Sequence, residues 1–329
     1  MENLDERYVL IATDKPFNLA TIQAMGDILS EGGLETRLLQ GKYSRDQLIE
    51  ALQGTDHLIV RSDTVDRLVL DSSNGLKQIV RAGTGTEKID GAYAGVRGIW
   101  VENTPGQNAN AVAELTLGYI LSYARNLHLA YHQAQQGSPL PKEMMGYELA
   151  ELNIGIQGFG RIGRLVADKL HKLGAKATVF DIDAPTNEDS RIYGVTVASS
   201  PEEVYVGAHV VSMHMPPEGN IHLVNRNLIS RMMEKGFLIN TSRPEEVNHA
   251  DIVAVMQDRP HFFYAIDCAQ DDFPQELTPE YRPRVLWTNK WGAQTRPAND
   301  NTGIAAAKQV VYFHITGKPM YPVNNPVHN

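Results

Sequence analysis

Cysteine, long apolar runs and positive charge are all scarce in this chain of 329 residues. A single cysteine excludes an internal disulfide framework and a cysteine-based zinc site, and it is typical of a reducing compartment. No apolar run approaches the roughly 20 residues that a membrane-spanning helix needs. Lysine and arginine total 30 against 39 aspartates and glutamates, which argues against a nucleic acid as the partner.

The amino-terminal segment, Met-Glu-Asn-Leu-Asp-Glu-Arg, is acidic, whereas a secretory signal begins with positive charge and continues with an apolar stretch. We therefore expect a cytoplasmic protein without a membrane partner. The composition, 42% hydrophobic and 21% charged, is ordinary for a globular protein. The length suffices for roughly two domains, each with its own core.

Short apolar runs alternate with helical stretches along most of the chain, which predicts an α/β fold with parallel sheets covered by helices. The runs predict strands at residues 8–12, 34–38, 57–60, 77–80, 98–101, 152–157, 177–180, 209–213, 237–240, 263–267 and 285–288. Helices are predicted at residues 18–30, 44–53, 110–123 and 161–173. The polar segment 133–145 contains one glycine and two prolines, so we expect a loop there.

The strongest local motif is the glycine pattern that begins at Gly158, between a predicted strand and a predicted helix. Gly158 permits a tight turn, Gly160 lets the backbone approach a pyrophosphate, and Gly163 lets the helix pack against the strand. The helix N-terminus presents free N–H groups to the anion. Asp181 ends the next strand, where a carboxylate binds ribose hydroxyls and repels a 2′-phosphate, so NAD is favoured over NADP. The alternative is a glycine-rich turn between strand and helix that binds no ligand. The predicted cofactor residues here are Gly158, Gly160, Arg161, Ile162, Gly163 and Asp181.

Three later segments place polar residues just after a predicted strand, where open parallel sheets bind their ligands. Arg243 could bind a carboxylate with its fork of donors, or pair with a neighbouring glutamate at the surface. Asp267 and Asp272 belong to an acidic cluster that could equally be a solvated loop. Lys290 lies between two tryptophans, where it could act chemically or simply extend to water.

The order of these motifs resembles the D-2-hydroxyacid dehydrogenase family over almost the whole chain. The matching stretches are residues 80–90, 103–114, 158–163, 212–216, 239–243, 265–267 and 288–292. The resemblance implies two Rossmann-like domains, with the cofactor domain inserted into a flavodoxin-like substrate domain. The substrate-binding domain would be residues 1–104 and 297–329, and the NAD-binding domain residues 105–296. Long helices near 107–125 and 299–316 would cross between them, with the active site in the cleft.

The family's catalytic residues are Arg, Glu and His, and only the first matches this chain. Arg243 would bind the carboxylate and the carbonyl oxygen of the substrate. The Glu position falls on Asp272 and the His position on Lys290. An ammonium can donate a proton to the developing alkoxide, but oxidation needs a neutral lysine as base. We therefore expect oxidation to become faster toward alkaline pH.

Lys290 and the proline after Arg243 resemble a subgroup of short D-3-phosphoglycerate dehydrogenases that lack a C-terminal regulatory domain. This resemblance implies conversion of 3-phosphoglycerate to 3-phosphohydroxypyruvate in serine biosynthesis, without control through a serine-sensing domain. Arg61 would bind the phosphate unless it pairs with Asp63 or Asp66, and Lys88 would add positive charge. The implied substrate-binding residues are Arg61, Ser62, Gly83, Thr84, Gly85 and Asn108.

The same resemblance implies further cofactor contacts, near the adenine for His214, Met215 and Pro216, and near the nicotinamide for Thr241 and Asp267. Ser242 and Gly292 are also predicted to bind the cofactor. Two other functions stay open: a glyoxylate or hydroxypyruvate reductase, and an NAD-sensing protein without catalysis. A homodimer is implied, with the helix near 107–125 and the loop near 133–148 in its interface. His128 and His132 have helical spacing, but without a third ligand we expect no metal.

Overall fold

A computed structural model describes residues 8–139 and 145–326 of the chain. By its internal contacts the chain divides into two compact units, Met1–Asn108 with Thr295–Asn329, and Ala109–Gln294. The second unit is therefore inserted into the first. The expected domain limits at 104 and 297 lie within four residues of this division. The roles assigned to the two domains remain predictions at this point.

The first unit is built on a five-stranded parallel sheet with the order β2-β1-β3-β4-β5. Its strands are β1 (Tyr8–Thr13), β2 (Glu35–Gln40), β3 (Thr55–Val60), β4 (Gln78–Arg81) and β5 (Trp100–Asn103). Its helices are α1 (Leu19–Glu31), α2 (Arg45–Ala51), α3 (Arg67–Asp71), α4 (Gly91–Val96) and α12 (Arg296–Thr316). This strand order is the flavodoxin-like one, as predicted.

Local sequence explains why α1 and α12 form and pack together. The Asn18 side chain caps α1 by accepting a hydrogen bond from the Thr21 amide at 2.9 Å. On α12, a Cβ at Gly303 would lie 2.8 Å from the sulfur of Met25, so glycine permits the close approach of the two helices. The packed faces bury apolar side chains from both helices and from β1 in one core.

The second unit carries a seven-stranded parallel sheet with the order β12-β11-β10-β9-β6-β7-β8. Its strands are β6 (Asn153–Gln157), β7 (Lys176–Phe180), β8 (Val195–Val197), β9 (Val210–Met213), β10 (Phe237–Asn240), β11 (Phe263–Cys268) and β12 (Val285–Asn289). Its helices are α5 (Ala109–Ala124), α6 (Leu127–Gln135), α7 (Arg161–Lys172), α8 (Asn187–Tyr193), α9 (Pro201–Tyr205), α10 (Arg226–Ile229) and α11 (His249–Asp258). The order is the doubly wound Rossmann order with one extra strand, and its switch point lies between β6 and β9.

The predicted α/β fold with two parallel sheets is confirmed, and two local predictions need correction. The edge strand β8 was not predicted, because three residues carry too little pattern. The predicted loop 133–145 begins too early, since α6 continues through Gln135 before the chain turns at Gly137. Residues 140–144 of that loop lie outside the described part of the chain. Within residues 8–139 and 145–326, no helix is long and apolar enough to cross a membrane.

Candidate active site

The glycine turn between β6 and α7 has the shape that a bound dinucleotide needs. Gly158 has φ +93°, and a Cβ there would lie 2.6 Å from the carbonyl carbon of His214. A Cβ at Gly163 would collide with the carbonyl oxygen of Gly158, so the helix can pack this closely only on glycine. Gly160 has open space around it and starts α7 without a side-chain cap. The first N–H groups of α7, beginning at Arg161, are therefore available to a pyrophosphate.

Asp181 lies immediately after β7 and is bonded into this turn. One carboxylate oxygen accepts the Phe159 amide at 2.5 Å, and the other accepts the Asp183 amide at 3.1 Å. Each oxygen of a carboxylate can accept a second hydrogen bond, so hydroxyl groups of a ribose can still bind. The geometry thus holds the acid in a fixed orientation beside the glycine turn.

The segment after β9 forms a wall of the glycine turn. The His214 amide donates to the Gln157 carbonyl at 2.8 Å, and its ring nitrogens lie 2.9 Å from the Ser212 hydroxyl and 3.5 Å from that of Thr241. The side chain is partly exposed, yet burial of the ring lowers the pKa of His214 to about 3. The histidine is therefore neutral at physiological pH and orders this wall rather than carrying charge.

Arg243 stands on a turn that the last residue of β10 holds in place. The Asn240 side chain accepts the Ser242 amide at 2.9 Å and donates to the Arg243 carbonyl at 2.7 Å. The half-buried guanidinium of Arg243 donates to the Ser242 carbonyl at 3.2 Å. Asn240 was not predicted as a site residue, although a polar residue that ends an apolar strand is a usable signal. Its two hydrogen bonds fix the backbone from which Arg243 projects.

Lys290 follows β12 in a loop that Asp267 holds. The Asp267 carboxylate accepts the amides of Trp291 at 2.6 Å and Gly292 at 2.7 Å, and the hydroxyl of Thr288 at 2.7 Å. Lys290 has φ +53°, and its amide donates to the carbonyls of Cys268 and Thr288. Asp267 therefore shapes the loop that presents the exposed lysine, and its predicted contact with the nicotinamide remains a prediction.

Asp272 lies at the end of a short 3₁₀ turn and is exposed, as Lys290 is. No ion pair between the two is found within the described ranges, so Asp272 does not bind the Lys290 ammonium directly. Both charges act on the thiol of Cys268, whose pKa is raised to about 11 mainly by burial and then by Asp272. The thiol is therefore protonated, and Cys268 packs rather than reacts.

The residues predicted to bind the substrate belong to the first unit. Arg61 donates to the Asn299 side chain and, at 3.1 Å, to the Lys15 carbonyl. The Arg61 guanidinium makes no ion pair with Asp63 or Asp66 in the described part of the chain. Asp63 instead accepts the Arg61 amide at 3.1 Å. Burial lowers the pKa of the Arg61 guanidinium, opposed by nearby carboxylates.

The glycine loop after β4 carries a cation that sequence reasoning missed. Gly83 has φ +145°, and a Cβ there would collide with the guanidinium of Arg81, the last residue of β4. Thr84 is tied to this loop by the Asn103 side chain, which donates to its carbonyl at 2.7 Å. The signal was available, because Arg81 ends its strand as other site residues do.

Other residues predicted to act on the substrate make contacts within the first unit. Lys88 donates to the Ser62 carbonyl at 3.0 Å, and the Ser62 hydroxyl donates to the Asp14 carboxylate at 2.6 Å. The Gly85 position faces the carboxylate of Glu87, and the Thr84 hydroxyl lies 3.5 Å from the Asn108 side chain.

A metal centre has no support in the structure. Within residues 8–139 and 145–326, no group of three or more His, Cys, Asp or Glu side chains could hold a metal ion. An open groove of about 270 Å³ in the second unit does combine histidines and acids, including His222, His249 and Asp272. Its His, Asp and Glu side chains do not form such a group, so it is an open surface groove.

Residues 117–290 match the family model described as "D-isomer specific 2-hydroxyacid dehydrogenase, NAD binding domain". Human D-3-phosphoglycerate dehydrogenase is 32% identical over 301 residues, which are 91% of this chain and 56% of the relative. Hydroxypyruvate reductase from Thermotoga maritima is 29% identical over 284 residues, covering 84% of this chain and 90% of the relative.

A solved structure matches almost the whole chain. The NAD⁺-bound 3-phosphoglycerate dehydrogenase of Entamoeba histolytica matches with a TM-score of 0.80 and 29% identity, covering 98% of this chain and 100% of that one. By contrast, this chain spans just over half the length of the D-3-phosphoglycerate dehydrogenases from human and from Methanocaldococcus jannaschii.

Proposed function

Because the chain belongs to the D-isomer specific 2-hydroxyacid dehydrogenase family, whose cofactor is NAD, we propose that it oxidises and reduces a D-2-hydroxyacid with NAD. One observation carries this proposal. The sheet that holds the glycine turn also places Arg243 after β10 and Lys290 after β12, at the carboxyl ends of its parallel strands. An anion-binding group and a proton donor thus stand on the same edge as the dinucleotide turn.

The residues of the second unit have separable roles in this reaction. The glycine turn and Asp181 would hold NAD, which would supply the acceptor and donor of the hydride for C2 of the hydroxyacid. Arg243 binds the substrate carboxylate with its fork of donors and stabilises negative charge on the reacting oxygen. Lys290 donates a proton to that oxygen in reduction and removes it in oxidation. Burial is the main cause of the raised pKa of the Cys268 thiol, and Asp272 raises this pKa further while Lys290 lowers it, which supports a role of Asp272 in setting the field at the lysine.

We further propose 3-phosphoglycerate as the substrate, which would place the reaction in serine biosynthesis in the cytoplasm. D-3-phosphoglycerate dehydrogenases are among the relatives. In the first unit, Arg61 and Arg81 lie at the carboxyl ends of the neighbouring strands β3 and β4, which concentrates positive charge at one edge of that sheet. A guanidinium has five N–H donors, so Arg61 keeps donors for a phosphate beyond those given to Asn299 and Lys15.

The substrate is tested by NADH oxidation with 3-phosphohydroxypyruvate, hydroxypyruvate and glyoxylate, for the wild type and Arg61→Met. We expect kcat/KM for the phosphorylated ketoacid to exceed that for hydroxypyruvate at least about tenfold. Arg61→Met should remove this preference, mainly through KM, because it loses uniform binding rather than transition-state stabilisation. Arg97→Met is the matched control, since Arg97 pairs with Asp71 away from these strand ends.

Each other outcome selects a different function. Equal turnover of all three ketoacids favours a general glyoxylate or hydroxypyruvate reductase, an activity that the Thermotoga relative's name carries. No turnover, with NADH still bound, favours an NAD-sensing protein without catalysis.

We also propose a homodimer formed through the second unit. Helices α5 and α6 and the residue after the undescribed segment expose large apolar side chains: Leu121, Leu127, Tyr131 and Met145 are 36%, 54%, 70% and 83% exposed. A concentration of exposed large apolar side chains is typical of an interaction surface. Sedimentation velocity should give twice the 36.5 kDa chain mass for the wild type and the single mass for Leu127→Glu. A wild type that sediments as a monomer contradicts the proposal.

A further inference from the structure

A buried hydroxyl group of helix α5 is connected by hydrogen bonds to the loop that carries Lys290. The hydroxyl of the buried Tyr119 lies 2.5 Å from the hydroxyl of Thr288, near the end of β12. The Thr288 hydroxyl in turn donates to the Asp267 carboxylate at 2.7 Å. The same carboxylate accepts two backbone amides of the Lys290 loop (residues 290–292). Three side chains therefore connect α5 to this loop without a break.

The direction of each hydrogen bond follows from the groups that make it. A carboxylate has no hydrogen to donate, so the single hydrogen of the Thr288 hydroxyl is used on Asp267. The Tyr119 hydroxyl is then the donor to Thr288. Burial raises the pKa of Tyr119 above its ordinary value, opposed by the hydrogen bond to Thr288 and reinforced by the charge of Asp267. The phenol therefore keeps its proton at physiological pH and can only be removed from this chain of bonds by substitution.

The same face of α5 packs directly on the loop. A Cβ at Gly292 would lie 2.8 Å from the Asp267 carboxylate and 3.3 Å from the Val112 side chain, with Leu115 as the next neighbour. Glycine thus lets the loop approach both the carboxylate and the helix. Val112, Leu115 and Tyr119 have the i, i+3, i+7 spacing of one helix face. This face holds the loop both by packing and by hydrogen bonds.

We propose that Tyr119 is a positioning residue that holds the Lys290 loop in the conformation needed for proton transfer. Its hydroxyl fixes the orientation of the Thr288 hydroxyl and polarises it, so that Thr288 donates more strongly to Asp267. The carboxylate is thereby held where it accepts both amides of the loop. A catalytic group that is displaced by about 1 Å can lose on the order of a hundredfold in rate. This inference rests on the proposed role of Lys290.

The kinetic test removes single hydroxyl groups. Tyr119→Phe keeps the buried ring and should lower kcat for ketoacid reduction about tenfold, with KM unchanged within about twofold, because Lys290 acts in the transition state. Thr288→Val removes both hydrogen bonds of that residue and should lower kcat about thirtyfold. Thr288→Ser keeps a hydroxyl for both partners and should retain at least about a third of the wild-type kcat.

Tyr123→Phe is the matched control for Tyr119→Phe. Tyr123 is buried on the same helix one turn later, and its hydroxyl donates to the Lys235 carbonyl, outside the Lys290 loop. This variant also loses one buried hydroxyl and one hydrogen bond, but it should keep the wild-type kcat. The double variant Tyr119→Phe/Thr288→Val should match Thr288→Val within about twofold, because both hydroxyls act through one chain of bonds.

A second measurement needs no enzymatic activity. The two amides of the Lys290 loop are protected by their hydrogen bonds to Asp267. Hydrogen–deuterium exchange of the peptides that cover residues 288–294, measured by mass spectrometry, should be about tenfold faster in Tyr119→Phe than in the wild type or Tyr123→Phe. Peptides from the glycine turn should exchange equally in all three proteins.

The possible failures are distinguishable. If the wild type reduces ketoacids and Tyr119→Phe loses no more kcat than Tyr123→Phe, the positioning role is wrong while the proposed function stands. If the loop amides of Tyr119→Phe exchange at the wild-type rate, the connection from α5 to the loop is wrong whatever the kinetics. If the wild type reduces no ketoacid, the proposed function fails and the effect on kcat fails with it. Faster exchange in Tyr119→Phe would then still show that the hydroxyl holds the loop.

Discussion

Replacement of Lys290 by alanine should lower kcat for ketoacid reduction about a thousandfold, while the affinity for NADH stays within about twofold. The expected loss follows from the removal of a general acid, which contributes about 10²–10⁴ in rate. Lys290 is exposed, and its backbone φ of +53° is imposed by the loop that Asp267 holds. Alanine has the same backbone constraint as lysine there, so the variant changes the side chain without adding strain. Stopped-flow measurement of NADH oxidation, with NADH titration by fluorescence, provides both numbers.

Two further substitutions separate the charge of Lys290 from its proton. Lys290→Arg keeps a cation that cannot be deprotonated, so it should preserve KM but lose nearly as much kcat as alanine. Lys290→His supplies another side chain that can donate a proton near neutral pH and should recover part of kcat. Lys172→Ala, which removes a surface lysine paired with Asp168 on α7, is the control and should match the wild type.

The pH dependence of the oxidation rate tests whether Lys290 is the base. Oxidation by the wild type should become faster toward alkaline pH, because the base is a neutral lysine, and the rate of Lys290→Ala should not change with pH. A variant that keeps a tenth or more of the wild-type kcat would remove Lys290 from the chemistry.

The dinucleotide turn could be predicted because its determinants are local. The strand, the three glycines, the helix and Asp181 all lie within about 30 residues, and each glycine has a steric reason that the structure shows. The strand order of the two sheets, by contrast, has no local determinants. Neighbours such as β6 and β9 are separated by more than 50 residues, so the residue pattern predicts parallel strands but not which strands pair.

The active-site loops show where sequence reasoning stops. The contact of Asp267 with the cofactor stays a prediction, and the structure adds that its carboxylate accepts hydrogen bonds from Thr288, Trp291 and Gly292, more than 20 residues later. A strand-end carboxylate is visible in the sequence, but the loop that folds back onto it is not. The alternative of a surface pair between Arg243 and a neighbouring glutamate also needs correction for Glu246, because Glu246 is 0% exposed and its backbone carbonyl accepts the Val224 amide.

Replacement of Arg243 by lysine should lower kcat/KM for the ketoacid about a hundredfold, and replacement by alanine about ten-thousandfold. A lysine keeps the charge but not the fork that binds a carboxylate in two places, so binding and charge stabilisation both weaken. Loss of one donor to a developing oxyanion costs about 10²–10³ in kcat, and loss of the carboxylate contact raises KM as well. The measurement is steady-state NADH oxidation at a fixed pH.

The Arg243 side chain can be replaced without a change in the backbone of the turn that carries it. Asn240 holds the backbone of residues 242 and 243 by hydrogen bonds that do not involve the Arg243 side chain. Arg243 has φ −131°, an extended conformation that any residue adopts. The variants should therefore keep the wild-type melting temperature and NADH affinity, as should the control Arg191→Lys on the exposed side of α8.

Chemical rescue then distinguishes a direct role of Arg243 from a structural one. Free guanidinium ion added to Arg243→Ala should restore part of kcat in a saturable manner, because it can occupy the space of the missing group and bind the same oxygen. It should not change the activity of Lys290→Ala. An Arg243→Ala enzyme that loses less than about tenfold in kcat/KM would show that the substrate anion binds elsewhere.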